Sequence, residues 1–170
     1  MKIKIIMLAS ALQLLSGCVA TADPAQPAPA AVRQTEERVK AGETLPFTEL
    51  TAIDGSKVRL DQLGQRKLLI FFATWCSDSQ RAFRHLQASA LVQQPDLQIV
   101  GIGREENQAS LSKFASEYQL KFPLVADPDR ALYHQFTNQG IPRLVLVDGN
   151  NQVVKTFLGE IPDVTREIQW

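Results

Sequence analysis

The 170-residue sequence predicts an α/β domain in which a mixed central sheet has helices on both faces and is preceded by an N-terminal β-hairpin. Three observations lead to this prediction. Short apolar runs alternate with amphipathic stretches from residue 46 onward. Their order is ββ, then βαβα, then ββα. Asp54-Gly55 and Asp148-Gly149 each lie between two apolar runs, as expected for hairpin turns.

The first half of the domain is predicted to contain a hairpin, a central strand and a long helix. Strands at residues 45–50 and 57–60 flank the two-residue turn Asp54-Gly55. The near-continuous apolar run at residues 67–72 is typical of a central strand that is buried on both faces. Residues 77–92 then change to helical spacing, which indicates that a helix follows this strand directly.

The second half is predicted to alternate in the same way. A buried strand at residues 97–103 is followed by a helix at 108–118 and a short edge run at 122–125. A third helix at 129–136 precedes two further strands at 143–147 and 152–157. A short last helix begins at about residue 163. The third helix is expected to follow Asp127-Pro128, because proline suits the first turn of a helix.

Residues 1–43 precede the domain, which is predicted to span residues 44–170. Residues 1–17 carry two lysines and a short apolar run, the pattern of a secretory signal that is removed from the mature protein. This run is too short to cross a bilayer as a stable helix. Residues 18–43 begin rich in proline and alanine and contain no aromatic side chain, so they are predicted to form an extended, solvated tether.

The end of the signal, Leu15-Ser16-Gly17-Cys18, resembles the bacterial lipobox. The resemblance implies that Cys18 is lipidated on its sulfur and becomes the N-terminus after cleavage. Several acyl chains on one residue would anchor the protein stably. The alternative is an ordinary export signal that contains a cysteine. The sequence thus favours a lipid-anchored, periplasm-facing protein of a bacterial envelope, and Val19 in place of an aspartate favours the outer membrane.

The composition argues against several functional classes. The chain has 18 basic and 18 acidic residues, so it lacks the basic excess that a nucleic-acid-binding protein needs. Removing residues 1–17 takes away Lys2 and Lys4 and leaves a net charge of −2, which predicts no strong electrostatic partner. With two cysteines and two histidines, neither a disulfide-dense scaffold nor a Cys/His zinc site is expected. We expect no metal and no cofactor.

The second cysteine, Cys76, lies between the predicted central strand and the helix that follows it. At such a junction the unpaired backbone N–H groups and the helix dipole favour an anion, and hence the nucleophilic thiolate. The alternative is a buried structural cysteine, but the surrounding Thr-Trp-Cys-Ser-Asp-Ser is not an apolar stretch. The position therefore predicts a reactive thiol.

The segment Phe-Phe-Ala-Thr-Trp-Cys at residues 71–76 resembles the active-site entry of thioredoxin-fold redoxins. The resemblance extends over roughly residues 44–161 and includes Gly140-Ile141-Pro142 before an apolar strand. The most similar branch is that of exported, membrane-tethered thiol–disulfide oxidoreductases, to which the alkyl hydroperoxide reductase/thiol-specific antioxidant group is related. It implies a thioredoxin fold and thiol–disulfide chemistry at Cys76 with Trp75 beside it. It also implies a cis Ile141-Pro142 bond facing the cysteine, whose backbone would pair with a bound peptide or glutathione.

The sequence departs from this family at the second cysteine of the Cys-x-x-Cys motif, where it has Ser79. In a dithiol enzyme that second cysteine releases the mixed disulfide formed by the first. Ser79 cannot do so, although its hydroxyl could donate a hydrogen bond to the Cys76 thiolate. The sequence therefore predicts a single working thiol that needs an external thiol for release. Peroxidase activity is less favoured, because the proline and threonine of the peroxidatic pattern are missing at their spacing.

Three other groups near the predicted site are candidates for a role. Arg143, directly after Pro142, could supply positive charge near Cys76 or bind a substrate carboxylate, or could be an ordinary surface arginine. A glutamate of Arg104-Glu105-Glu106 could relay protons to the thiol, but a solvated loop is the expectation there. The two histidines lie on polar helix faces and are poor candidates for a general base.

Two functional hypotheses follow. The first is a lipid-anchored envelope redoxin that uses Cys76 for thiol–disulfide exchange or antioxidant activity, with glutathione or a thiol- or disulfide-bearing protein as partner. The second is a redox-silent binding module that keeps the proline groove and uses it to hold an envelope partner. A copper carrier is a weaker alternative, because a second cysteine and a nearby histidine are missing.

Overall fold

A computed structural model describes residues 37–138, 140–159 and 167–170. It contains seven strands and three α-helices within these ranges. In chain order they are β1 (Glu49–Thr51), β2 (Lys57–Arg59), β3 (Arg66–Phe72), α1 (Ser77–Ala88), β4 (Leu97–Arg104), α2 (Gln108–Glu117), β5 (Leu124–Asp127), α3 (Tyr133–Phe136), β6 (Arg143–Val147) and β7 (Val153–Leu158). None of the described helices is long and apolar enough to cross a membrane.

Five of the strands form the central sheet, in the order β5-β4-β3-β6-β7. Strands β3, β4 and β5 run parallel, whereas β6 and β7 are antiparallel to their neighbours, so the sheet is mixed as predicted. Strands β1 and β2 form a separate two-stranded sheet. Because β6 is antiparallel to β3, the end of β3 and the start of β6 lie at the same edge of the sheet, with Phe71 opposite Arg143.

Strand β3 is buried on both faces, which explains its continuous apolar sequence. Leu68, Ile70 and Phe72 face a core cluster that also contains apolar side chains of α1 and α2. Leu69 and Phe71 face a second cluster, which includes side chains of the hairpin and of α3. Helices therefore cover both faces of the sheet, as predicted.

The two hairpins lie where the sequence predicts them, but the first loop is longer than two residues. Thr51 pairs with Lys57, so five residues rather than two connect β1 to β2. Within this loop the Asp54 carboxylate accepts a hydrogen bond from the Ser56 N–H at 2.9 Å. An aspartate that holds the loop through its side chain removes the need for a tight two-residue turn.

Helix α3 is shorter than the predicted helix at residues 129–136. Arg130 has φ of 63°, which a right-handed helix cannot contain. The Asp127 carboxylate accepts hydrogen bonds from the N–H groups of Leu132 at 3.0 Å and Tyr133 at 2.9 Å, and so caps a helix that begins at Tyr133. The first long helix also ends early, at Ala88, and a 3₁₀ turn over Ala90–Gln93 follows it. The predicted last helix starts at about residue 163; residues 163–166 lie outside the described ranges, and residues 168–170 are not helical.

The domain begins before the predicted boundary at residue 44. Val39 is buried, and the Arg38 N–H donates to the Phe136 carbonyl at 2.8 Å. Glu37 forms an isolated β-bridge with Thr137. Residues 37–43 are thus attached to the domain instead of belonging to a solvated tether, because they have backbone partners in α3 and β7 that neighbouring residues in the sequence do not reveal. The predicted signal and Cys18 lie outside the described residues.

Lys67, the second residue of strand β3, is fully buried at the edge opposite the predicted site. Its ammonium donates hydrogen bonds to the carbonyls of Gln62 at 2.8 Å and Gln65 at 2.7 Å, and also to the Asn151 side chain. Burial lowers the pKa of Lys67, and Asp148 and Asp61 partly oppose this shift. The lysine therefore ties together the loops that precede β3 and β7.

Candidate active site

Cys76 occupies the N-cap position of α1, at the edge of the sheet where β3 ends. Its N–H donates to the Ala73 carbonyl at 3.2 Å, and its carbonyl accepts from the Gln80 N–H at 3.0 Å. The first bond closes the turn that leaves β3, and the second begins the helix. The side chain makes no capping hydrogen bond and is half-buried, so the sulfur remains available to a reactant.

The Ile141-Pro142 peptide bond is cis and faces the cysteine, in agreement with the resemblance to redoxins. The Cys76 Sγ lies 4.0 Å from the Ile141 carbonyl oxygen. Pro142 itself is buried, and its carbonyl accepts a hydrogen bond at 2.8 Å from the Gly159 N–H at the end of β7. The predicted residues Cys76, Ile141 and Pro142 therefore come together at one edge of the sheet.

Two large apolar side chains are exposed near this edge of the sheet, one next to Cys76 in the sequence and one beside the proline loop. Trp75, which precedes the cysteine, is 66% exposed, and Leu158 is 53% exposed. Leu158 lies against Gly140, where an added Cβ would come within 2.4 Å of the leucine Cδ1. Sequence reasoning did not identify Leu158, because its place beside the proline loop depends on the pairing of β7 with β6.

Ser79 is completely buried beneath the active-site loop. Its Oγ accepts a long hydrogen bond, 3.4 Å, from the Ala73 N–H. Within the described chain no side-chain hydrogen bond joins Ser79 to Cys76, and donation from Ser79 to a Cys76 thiolate stays a prediction. The serine supports the loop that leads from β3 to the cysteine.

Glu106 is buried as well, and it contacts the same loop from the segment that follows the neighbouring strand β4. One of its carboxylate oxygens accepts hydrogen bonds from both the N–H and the hydroxyl of Thr74, each at 2.7 Å. The expectation of a solvated loop at residues 104–106 is therefore wrong for Glu106. No local signal shows this, because the partner Thr74 is 32 residues away in the chain. Glu105 is exposed and forms ion pairs with Arg104 and Arg130.

Arg143 is not a surface arginine, since only 1% of its side chain is exposed. Its guanidinium pairs with the carboxylate of Glu37 in the N-terminal segment. Cross-strand partners point to the same face of a sheet, so Arg143 shares the face of Phe71, which α3 covers. This arrangement gives no support to a charge beside Cys76 or to binding of a substrate carboxylate.

Tyr133 connects α3 to the proline loop. Its hydroxyl donates to the Gly140 carbonyl at 3.0 Å, and the side chain is completely buried. Burial raises the pKa of Tyr133, although the nearby guanidinium groups of Arg104, Arg143 and Arg130 oppose the shift. Across the part of the chain that the structure describes, no three His, Cys, Asp or Glu side chains gather as possible metal ligands.

Comparison with known proteins agrees with this architecture. Among relatives, thiol-disulfide oxidoreductase ResA of Bacillus cereus is 24% identical over 127 residues, covering 74% of this chain and 73% of that protein. ResA of Geobacillus kaustophilus is 27% identical over 135 residues, covering 77% and 78%.

Solved structures show the same fold. The crystal structure of StoA from Bacillus subtilis has a TM-score of 0.57 and 22% identity, covering 69% of this chain and 91% of that one. A thioredoxin family protein from Chlorobium tepidum TLS has a TM-score of 0.61 and 18% identity, covering 74% and 91%. The predicted thioredoxin-like fold is therefore confirmed. The family model described as Redoxin matches residues 40–168, and the chain therefore belongs to the redoxin family.

Proposed function

We propose that this protein is a thiol–disulfide oxidoreductase that works with one nucleophilic thiol, Cys76, and an external resolving thiol. The observation that carries the proposal is the position of the Cys76 Sγ, half-buried at the N-cap of α1 and 4.0 Å from the Ile141 carbonyl. A thiol at a helix N-terminus has the surroundings that support a thiolate. The ResA relatives, which are named thiol–disulfide oxidoreductases, support the same reaction class.

The reaction proceeds in two exchanges. The Cys76 thiolate attacks one sulfur of a disulfide, the S–S bond breaks, and the departing thiolate takes up a proton. The protein now carries a mixed disulfide at Cys76. An external thiolate then attacks the partner's sulfur, forms a new disulfide with it, and leaves Cys76 as a thiolate again. The second step must be external, because the Ser79 oxygen cannot form a disulfide.

The substrate is proposed to be the disulfide of glutathione or an extended segment of a disulfide-bearing protein. The Ile141 backbone faces the sulfur and would pair with such a segment, and the exposed Trp75 and Leu158 offer apolar contacts beside it. No cofactor is needed for this chemistry, since both reactants are sulfur compounds. Antioxidant activity is a related use of the thiol: a peroxide would oxidise it to a sulfenic acid, which an external thiol converts to a mixed disulfide with loss of water.

The protein is proposed to act at the bacterial envelope, anchored through lipid on Cys18 and facing the periplasm, with the outer membrane favoured. The support is the sequence Leu15-Ser16-Gly17-Cys18 after the predicted signal. Mass spectrometry of the native protein tests the anchor directly. A lipid-modified N-terminal Cys18 is expected, together with loss of membrane association in Cys18→Ala. An unmodified Cys18 in the mature protein would refute the anchor.

The exchange reaction is tested with the full chain and glutathione disulfide. Peptide mass spectrometry is expected to find glutathione on Cys76, and added reduced glutathione is expected to remove it. Cys76→Ser, which is similar in size, controls for modification elsewhere. The proposal would be refuted if wild-type Cys76 did not form the adduct. It would also be refuted if wild type and Cys76→Ser formed and released glutathione adducts to the same extent.

The exposed apolar side chains Trp75 and Leu158 also fit the second candidate, a redox-silent module that holds an envelope partner. The two candidates differ in their dependence on sulfur. Capture of partners that is unchanged in Cys76→Ala favours the binding module. Loss of disulfide-linked partners in that variant favours the oxidoreductase.

A further inference from the structure

We propose that Glu106 is a positioning residue for Cys76, acting through Thr74; the proposal rests on the function proposed above. Glu106 is 5% exposed and lies in the loop between β4 and α2. Buried carboxylates are uncommon unless they are paired or hydrogen-bonded. The partners of this one, the N–H and hydroxyl of Thr74, lie two residues before the cysteine.

The sheet brings the two loops together. Phe72 of β3 pairs with Gly103 of β4, so the chain leaves both parallel strands at the same edge and in register. The Glu106 N–H then donates to the Gly103 carbonyl at 3.2 Å, which turns the loop back over the strand end. A Cβ on Gly103 would lie 2.8 Å from the Glu106 Cβ, so the close approach needs glycine there.

Thr74 is held from two sides. Its two donors go to a single Glu106 oxygen at 2.7 Å, and its carbonyl accepts from the Gln80 side chain of α1 at 2.8 Å. Because only Trp75 separates Thr74 from Cys76, fixing Thr74 fixes the direction in which the chain enters the N-cap. Glu106 therefore sets where the sulfur lies relative to the Ile141 carbonyl.

A second role for a buried acid near a thiol would be to accept its proton. The two roles require different chemistry. Positioning needs only an acceptor oxygen at the observed place, which a glutamine amide also supplies. Proton transfer needs a carboxylate, which glutamine lacks. Glu106→Gln thus separates the two roles, whereas Glu106→Ala abolishes both.

The test uses the full chain and measures two rates for each variant: formation of the Cys76 adduct with glutathione disulfide, and alkylation of Cys76 by iodoacetamide. Glu106→Ala is expected to lower adduct formation by about tenfold, because small misplacements of a reacting group cost one to two orders of magnitude. It should lower alkylation in the same direction, since a sulfur displaced from the helix N-terminus loses surroundings that favour the thiolate. Glu106→Gln is expected to stay within about threefold of wild type, since the acceptor is retained. Glu105→Ala, the exposed neighbour, is the matched control and should change neither rate.

Hydrogen exchange at the Thr74 amide provides a readout of position itself. It should accelerate in Glu106→Ala and remain slow in Glu106→Gln and Glu105→Ala. If Glu106→Ala does not fold, Thr74→Val removes one of the two bonds and should give a smaller decrease in the same direction. Equal decreases of the two rates in Glu106→Gln and Glu106→Ala would overturn the proposal. So would wild-type rates in Glu106→Ala. If Glu106→Ala does not fold, wild-type rates in Thr74→Val would overturn it instead. Alkylation does not depend on disulfide exchange, so failure of the proposed function would leave this test intact.

Discussion

Replacing Ser79 with cysteine is expected to make Cys76, which needs an external thiol for release under the proposed mechanism, half of an internal dithiol pair. Ser79 is buried in the first turn of α1, three residues after the N-cap Cys76. Two Cα atoms three residues apart in a helix are separated by about 5 Å, from a rise of ~4.5 Å and a chord of ~2.3 Å. A disulfide requires its two Cα atoms to lie roughly 4.4–6.8 Å apart, so the new thiol would be within reach of Cys76.

The effect on stability should be small and the effect on rate large. The Ser79 hydroxyl accepts only a 3.4 Å hydrogen bond, so its loss should lower the free energy of unfolding by no more than ~1 kcal/mol. An internal thiol with an effective concentration of only ~1 M would release the mixed disulfide about 1,000 times faster than about 1 mM external thiol. Well-oriented intramolecular reactions exceed that concentration by far.

The assay adds glutathione disulfide to the full chain, quenches with acid at intervals, and follows the Cys76 adduct by mass spectrometry. Wild type should keep the adduct until reduced thiol is added. Ser79→Cys should lose it spontaneously and form an internal disulfide between residues 76 and 79. Ser77→Cys, the same change at an exposed neighbour, is the matched control and should behave as wild type. An adduct that persists equally in all three proteins would refute the geometric reasoning.

Three further predictions concern the frame around the site. Lys67→Met should lower the free energy of unfolding by ~2 kcal/mol in urea titrations, because carbonyl acceptors lose their donor; an unchanged midpoint would contradict this. Tyr133 has a raised pKa, so the folded state loses stability as pH rises from 10 through its folded pKa. The stability advantage of wild type over Tyr133→Phe should therefore shrink between pH 8 and pH 11, and a constant difference would argue otherwise. Gly140→Ala should cost about 1–2 kcal/mol for its φ of 90°, plus the contact with Leu158, and slow adduct formation. Leu158→Ala in the same chain should recover only the contact part, so full recovery would count against backbone strain.

The strands of the sheet could be predicted because the apolar side chains that they bury are consecutive in the sequence. The run at residues 67–72 is apolar on both faces, and the structure has β3 at Arg66–Phe72. The site's cysteine and proline could be placed by resemblance to redoxins, and the structure brings their loops together, with 4.0 Å between the Cys76 Sγ and the Ile141 oxygen.

The features that the sequence did not predict depend on partners far away in the chain. Glu37 and Arg143 pair across 106 positions, so neither the attachment of the N-terminal segment nor the burial of Arg143 has a local signal. The early residues of the third predicted helix have helical spacing, but the Asp127 carboxylate and the left-handed Arg130 delay its start. Local periodicity cannot register a side chain that caps a helix from the preceding strand.

Under the proposed single-thiol mechanism, with an oxygen rather than a sulfur on the buried side chain of Ser79, oxidation of this protein consumes one disulfide and liberates one thiol. By mass action, the ratio of adduct to free protein follows the first power of the disulfide-to-thiol ratio around it. A Cys-x-x-Cys enzyme liberates two thiols per disulfide, so dilution of its surroundings shifts it toward the oxidised form. By this mechanism, the ratio of adduct to free protein would stay constant when the surrounding thiol and disulfide are diluted together.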